Sequence, residues 1–277
     1  MRRGTPRPPR GEIGGRPPHQ PPGSLRGRLS LGRALSKFGV CSRKQAEGWI
    51  AAGRVRVGGR VAASPNRRVD PRRDVVTVDG RRVRDEAERV ALVFHKPVGY
   101  ITSRVDPGGR PTIYDSLGDL DEWVFPVGRL DRDTSGLLVL TNDHRLGHRL
   151  TDPAHAVPKT YHVLVKGTPS PEALRVLREG VALHDGTTRP AGVRLIGTSR
   201  GGRSWLEMIL TEGRNRQVRR MCAAVGHDVE RLCRVAIGSL GLGDLRPGEW
   251  RRLAAEELAG LSSAPGAIPP RAGAADR

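Results

Sequence analysis

The chain has 277 residues, enough for one large domain or for a large and a small one, and its formal net charge of +19 calls for a polyanionic partner through counterion release. A hydrophobic fraction of 36%, with 22 Pro and 36 Gly, leaves part of the chain without a core of its own. Three cysteines with no C-x-x-C pair argue against a disulfide framework and a thiolate zinc site. The absence of a membrane-length apolar run, or of an apolar signal core after the Arg-rich start, makes a cytoplasmic protein the expectation.

Residues 1–28 carry seven Arg against one Glu and no hydrophobic period, so a disordered basic arm is predicted there. From Leu29 onward, Leu31, Leu35 and Phe38 share one helical face, and Gly39 suits the left-handed position that ends a helix. Ser42 and Gln45 form a Ser-x-x-Gln capping box for a second helix, which carries Ala46, Trp49 and Ile50 and closes at Gly53. The run 55–61, with Gly58-Gly59 at its centre, predicts a hairpin, and a strand at 75–78 leads to a turn at Asp79-Gly80. Arg33, Lys37, Arg43, Lys44 and Arg54 fall on or beside the two helices. By charge alone they suit a solvated face and a phosphate-binding face equally.

After a polar linker at 85–89, a buried-type strand at 90–94 opens a larger domain and runs into HKPVGYITS (95–103). A short helix is predicted at 112–117, and 124–126 leads into VGRLDRDTSGLLVLTND (127–143). There, apolar runs flank a loop crowded with charge, an arrangement by which a rigid scaffold presents reactive groups at its rim. The plainer alternative is a tight turn in which Asp131 and Asp133 bond nearby backbone N–H groups. A short helix follows, on which His144 and His148 stand four apart. With Asp152 or His155 as a third ligand they could share a metal, but Arg145 stands where a zincin places Glu, and solvated histidines are the expectation. Residues 159–165 alternate as a strand, Ser170-Pro171 caps a helix ending before Gly180, and 181–202 is hairpin-rich with a Gly201-Gly202 turn. Leu206, Met208 and Leu210 mark a strand, and a helix from about Asn215 to Gly226 has Arg214, Arg216, Arg219 and Arg220 crowded at its start. Leu240 and Leu242 are strand residues, and the Ala/Pro/Gly-rich tail at 262–277 is expected to be disordered.

These segments together resemble the pseudouridine synthases of the RsuA/RluB group, which modify single uridines in ribosomal RNA. The resemblance rests on GRLD with its following loop (128–136), Lys96-Pro97 with Gly99 (His95 standing where Asn is common), the K-x-Y-x-V pattern at 159–163, and Gln217-Val218-Arg219. The two front helices with VRVGGRVA and VTVDG resemble an S4-like RNA-binding domain over 29–84. The likeness spans residues 29–255. It implies an α+β fold: a mostly antiparallel-sheet pseudouridine synthase catalytic domain at 90–255, preceded by a small S4-like (αL-type) domain.

What the resemblance implies for function is site-specific isomerisation of uridine to pseudouridine in ribosomal RNA, with large-subunit RNA the expected substrate and the target base flipped out. It implies no cofactor, no metal, no membrane and a monomer. Asp131 takes the place of the nucleophile, acting at the anomeric carbon or as a base at the adjacent sugar carbon. Tyr161 stacks on the uracil and helps a proton transfer, Arg219 pairs with Asp131, and Arg129 fills the vacated space or holds a phosphate. Lys96, Arg214 and Arg216 join Arg33, Lys37, Arg43, Lys44 and Arg54 as expected RNA contacts, and Arg220 is expected to face RNA or solvent. Two other readings stay open: a binding-only assembly factor with an inactive enzyme fold, and a metal-dependent RNA hydrolase using Asp131, Asp133 and Asp143.

Overall fold

The computed structural model describes residues 28–70, 73–83, 89–104, 106–118, 120–199 and 201–262. The expected basic arm up to residue 27, most of the linker (84–88) and the tail from 263 lie outside the described residues.

The front module is β1 (Leu29–Ser30), α1 (Leu31–Lys37), α2 (Arg43–Ala51), β2 (Val55–Val57), β3 (Arg60–Val61), β4 (Arg68–Val69), β5 (Val76–Val78) and β6 (Arg81–Val83). The capping box forms as its sequence predicts, with Ser42 Oγ accepting from Gln45 N and Gln45 Oε1 accepting from Ser42 N. Leu31, Leu35, Phe38, Ala46 and Ile50 meet Val55, Val57 and Val76 in one small core between the helices and the β3-β2-β5-β6 sheet. The β1–β4 pairing has no counterpart in the sequence pattern, because strands of two residues are too short to carry a period.

The larger domain is built on β7 (Ala91–Lys96), β8 (Phe125–Pro126), β9 (Ser135–Thr141), α3 (His144–Thr151), β10 (Lys159–Lys166), α4 (Pro171–Glu179), β11 (Ala182–Leu183), β12 (Gly186–Thr187), β13 (Gly192–Ser199), β14 (Arg203–Leu210), α5 (Gln217–Ala224), β15 (Val229–Ile237), β16 (Leu240–Gly241), β17 (Trp250–Arg252) and α6 (Ala255–Ser262). Its main sheet runs β13-β14-β10-β15-β9-β7-β17, with β8 added beside β9 and β16 beside β15. Every pairing in it is antiparallel except β15 with β9. The α+β architecture expected from the resemblance is therefore the one observed. The segment expected as a helix at 112–117 is a single 3-10 turn, Ile113–Ser116, and α6 is an element the sequence reading lacks.

The unbroken apolar run in β9 has a physical reason. Successive side chains of a strand point to opposite faces. Leu137 and Val139 enter one core, with Val93 of β7, while Leu138 and Leu140 enter another, with Leu92 and Phe94. A strand covered on both faces needs apolar residues at every position. Truncating any of these fully buried leucines to Ala costs about 2–5 kcal/mol. Because β9 is pinned on both sides, the loop that precedes it is pinned as well.

The front module docks on the start of α3. His144 Nε2 lies 2.9 Å from the Ser36 carbonyl, and its ring stacks on Phe125 at 4.4 Å. Gly39, at φ +73, lies so close to Asn142 that an added Cβ would come within 3.1 Å of that side chain. Burial among these groups pushes the His144 pKa down, so the docked arrangement favours the neutral imidazole. Among the described residues no helix is long and apolar enough to cross a membrane.

Candidate active site

The loop between β8 and β9 lies at the rim of the main sheet, and its backbone is held almost atom by atom. Five consecutive carbonyls each accept a hydrogen bond. Leu130 O takes the Thr102 hydroxyl at 2.9 Å, Asp131 O takes Thr134 N at 3.1 Å, and Arg132 O takes Gly99 N at 2.7 Å. Asp133 O takes Arg219 Nη2 at 2.8 Å, and Thr134 O takes Lys96 Nζ at 2.8 Å. The far end of the loop is fixed by close approach. Gly136 has φ +110, and a Cβ there would lie 2.2 Å from the Arg234 carbonyl oxygen. Only glycine fits where β9 and β15 run side by side. So rigid a loop fixes where the Asp131 side chain stands, and that is the condition a positioned reactive group requires.

Asp131 is half-buried at the mouth of a cleft of about 370 Å³. Arg129, Lys159, Tyr161, Arg216 and Arg234 line the same cleft. Of the residues singled out in the sequence, the fold brings Asp131, Tyr161, Arg129, Arg214 and Arg216 to this one cleft. Tyr161 lies on β10 two positions from Val163, so it shares the face that packs on a further core of Val163, Val165, Leu177, Leu206 and Met208, and it is half-buried against that core. Arg129 is exposed and makes no hydrogen bond among the described residues, which leaves its guanidinium available to RNA.

The expected pairing of Arg219 with Asp131 is not the one observed. Arg219 Nε lies 3.2 Å from the Asp133 carboxylate, and its two Nη atoms donate to the carbonyls of Val229 and Asp133. Arg216 grips Asp133 in a bidentate fork at 3.1 and 3.0 Å and reaches Asp131 only at 3.9 Å. The reason lies in the start of α5: Arg216 is its N-cap, turned into the left-handed region at φ +47, while Arg219 sits one turn along and points under the loop. Burial raises the Asp133 pKa, but the Arg216 hydrogen bonds and the Arg219 charge outweigh it and hold the carboxyl below its usual value. Asp133 is therefore the clamped acid of the loop and Asp131 the one left facing the cleft.

Two expected positions are corrected, those of Lys96 and Arg220, while Arg214 lines the cleft and is held by local acceptors. Lys96 is fully buried beneath the loop and donates to Pro97 O and Thr134 O, so it cannot reach a polymer; burial drives its pKa down to about 8 against the opposing pull of Asp133 and Asp131. Arg214 donates to the carbonyls of Asp185, Gly186 and Thr187 and to Glu212, anchoring the β11–β12 hairpin. Arg220, expected to face RNA or solvent, instead forks onto Asp185 at 2.9 and 3.0 Å. A sequence shows that arginines crowd a junction but not which of them meet local acceptors.

Sequence reasoning missed two cleft residues. Arg234 is 4% exposed; its Nε donates to Leu137 O at 2.8 Å, while its Nη2 has no hydrogen-bond partner among the described residues. Lys159 donates to Val157 O, and burial, reinforced by the Arg234 charge, lowers its pKa to about 8. The sequence carries no clear signal for the first, because Arg234 shares the strand VERLCRVAI with Glu230 and Arg231 and its charge does not set it apart.

Other predicted residues lie away from the cleft. Arg33 and Lys37 are exposed along a groove of about 1060 Å³ between the front module and α3, and Arg43 and Lys44 are exposed on the first turn of α2. Arg54 stacks on Trp49 and pairs with Asp79. Asp143 caps α3 by accepting from Arg145 N and pairs with Arg89, and no trio of Asp131, Asp133 and Asp143 is close enough to share an ion among the described residues. That removes the carboxylate constellation a metal-dependent hydrolase would need.

The chain matches the family described as RNA pseudouridylate synthase over residues 90–224 and the S4 domain over 33–75. It is 42% identical over 239 residues to an uncharacterized RNA pseudouridine synthase of Aquifex aeolicus, covering 86% of this chain and 95% of that one. It is 38% identical over 229 residues to the ribosomal large subunit pseudouridine synthase B of Bacillus subtilis, covering 82% and 93%. A crystal structure of a pseudouridylate synthase superposes with a TM-score of 0.60 at 29% identity, over 84% of this chain and 99% of that one. A likeness in sequence and fold over more than four fifths of the chain, with the signature loop held beside a cleft, places this chain in the RNA pseudouridine synthase family as an enzyme that carries an S4 domain at its front.

Proposed function

We propose that the enzyme isomerises a specific uridine of large-subunit ribosomal RNA, with Asp131 as the group that acts on the nucleotide. The observation that carries this reading is that Asp131, alone of the loop acids, lines the cleft together with Tyr161 and Arg234. The names of curated relatives such as the Bacillus subtilis protein support the substrate.

The target uridine leaves its stack at a cost of a few kcal/mol, less from an unpaired loop. Arg129, at the mouth of the cleft, fills the space behind it or holds its phosphate. Asp131 then acts at the anomeric carbon, or as a base at the adjacent sugar carbon. The C1′–N1 bond breaks, the uracil turns, a bond forms from C1′ to C5, and C5 gives up its proton while N1 takes one up, so that substrate and product are isomers with no net redox change. Tyr161 stacks on the ring while it turns. Arg234 forms part of the cleft wall, its Nε holding the Leu137 carbonyl. Arg219 and Lys96 act indirectly, by holding the loop.

Mapping pseudouridines in ribosomal RNA from cells with and without the gene tests the reading. One site in large-subunit RNA should vanish, and purified enzyme should restore it on a transcribed fragment. An unchanged map would contradict the assignment and favour the binding-only alternative.

A further inference from the structure

The end of α3 gathers a cluster that the isomerisation does not use. His148 and Asp152 stand four apart and so share one side of the helix end, and the 3-10 turn Pro153–His155 folds His155 back beside them. One ligand atom from each of the three lies within 4.8 Å of the others. His148 Nε2 is 3.6 Å from Asp152 Oδ2, and the two imidazoles meet edge-on with centroids 6.1 Å apart. His144, the other histidine of the pair visible in the sequence, is turned away onto Ser36 and Phe125.

We propose that His148, Asp152 and His155 form a binding site for a divalent transition ion of the zinc, nickel or copper class. Around a tetrahedral ion with bonds of about 2.0–2.1 Å, neighbouring ligand atoms stand about 3.3 Å apart. The His148–Asp152 edge is already near that value, and a side-chain rotation of His155 closes the rest. The carboxylate is oriented in advance: Asp152 Oδ1 accepts from Ala154 N at 2.9 Å, which directs Oδ2 toward His148. The turn itself is fixed by His155 N bonding to Asp152 O, and by Arg189 bonding to Pro153 O. Two imidazoles among three ligands select against magnesium and calcium, which require an oxygen cage. Nearby arginines do not occupy the carboxylate, since Arg149 Nε donates to Leu261 O and Arg189 to the Pro153 carbonyl.

Three protein ligands leave at least one coordination position open. His148 and His155 line the groove that also holds Arg33 and Lys37, and Val127, Gly128 and Thr151 border both this groove and the catalytic cleft. The open position therefore faces the path between the front module and Asp131, where a backbone phosphate oxygen is the available anion. This second step rests on the RNA reading given above; binding of the ion does not.

Metal-stripped full-length protein is titrated with Co²⁺ at about pH 7.5, where competition from protons is modest. One equivalent with the visible absorption of nitrogen-ligated cobalt is expected, displaced by Zn²⁺ and not by excess Mg²⁺. Affinity should fall at least tenfold in His148→Ala and in His155→Ala, with melting curves confirming that both variants fold. Asp152→Asn, which keeps the acceptor for Ala154 N, should weaken binding without disturbing the turn. Absence of a bound equivalent, or binding unchanged in both histidine variants, overturns the site. Affinity for a ribosomal RNA fragment should rise with Zn²⁺ in the wild type and not in His155→Ala. Zn²⁺ binding that leaves RNA affinity unchanged overturns the phosphate contact alone, and loss of pseudouridine formation bears on neither.

Discussion

The cations of the front module and those around the catalytic loop look alike in sequence and behave differently in the fold. Arg33, Lys37, Arg43 and Lys44 are exposed and make no hydrogen bond or ion pair among the described residues. Lys96, Arg214, Arg216, Arg219 and Arg234 are all engaged with carbonyls or carboxylates of their own chain. The first set keeps its charge available for phosphate, where contacts add affinity and salt dependence without reading sequence. The second set holds a loop in one geometry. Net charge therefore overstates how much of this protein touches RNA.

The comparison can be broken most severely at Gly136. Gly136→Ala drives a methyl group into the Arg234 backbone, at a residue with φ +110. A loss of about 4 kcal/mol or more is expected, with activity abolished even in the fraction that folds. A variant that melts like the wild type would mean that the contact between β9 and β15 does not fix the loop.

Arg219→Ala should come next. It removes a donor from a loop carbonyl and a partner from Asp133, at a cost of about 1–3 kcal/mol, since Asp133 remains partly exposed. Turnover should fall more than tenfold through loss of loop geometry, while the salt dependence of RNA binding stays put. Arg216→Ala, whose side chain is 46% exposed, should cost about 0–1 kcal/mol. Equal losses in melting temperature for the two would contradict the assignment of Arg219 as the loop clamp.

Lys96 sharpens the same contrast through pH. Its pKa falls from 10.5 to about 8 because burial disfavours the charged form. Below pH 8 folding therefore bears the full cost of the buried ammonium. Between about 8 and 10.5 the folded state releases its proton before the unfolded state does, and that cost fades. Relative to Lys96→Met, the wild type should gain stability with rising pH across this window, while its turnover declines as the loop loses its ammonium. Parallel stability curves for the two proteins would show that Lys96 does not titrate there.

The smallest effect on chemistry is expected in the front module. Replacing Arg33, Lys37, Arg43 and Lys44 together by Ala should weaken RNA binding and flatten its log–log salt slope by about 0.7–0.9 for each phosphate no longer neutralised. Saturating turnover should stay within about twofold, because none of the four lines the cleft with Asp131. An unchanged slope would mean that this face does not meet RNA.

Much of this is legible in the sequence alone. The Ser42–Gln45 box, the Gly58-Gly59 hairpin and the two-sided apolar run of β9 are local patterns, and each forms as its residues dictate. So is the convergence of Asp131 with Tyr161, since the signature segments are recognisable one by one, whereas the arginine nearest Asp131 is Arg216 and not the expected Arg219. What the sequence does not carry is the destination of long charged side chains. Arg219 meets Asp133, Lys96 goes under the loop, and Arg234 is buried in the cleft wall while its strand neighbours Glu230 and Arg231 are exposed. Such outcomes depend on which carbonyls the tertiary fold leaves without a partner, and no local period records that.

The central claim is that one loop presents two acids with different tasks: Asp131 acts on the nucleotide and Asp133 holds the loop. Single-turnover pseudouridine formation and thermal melting of Asp131→Asn and Asp133→Asn, measured side by side, test it most directly. Asp131→Asn should melt within about a degree or two of the wild type and bind RNA normally, yet form no detectable product, because the change keeps the shape and removes the charge. Asp133→Asn should melt lower and retain slow turnover. Measurable turnover by purified Asp131→Asn, or complete loss in Asp133→Asn at unchanged stability, would contradict the account.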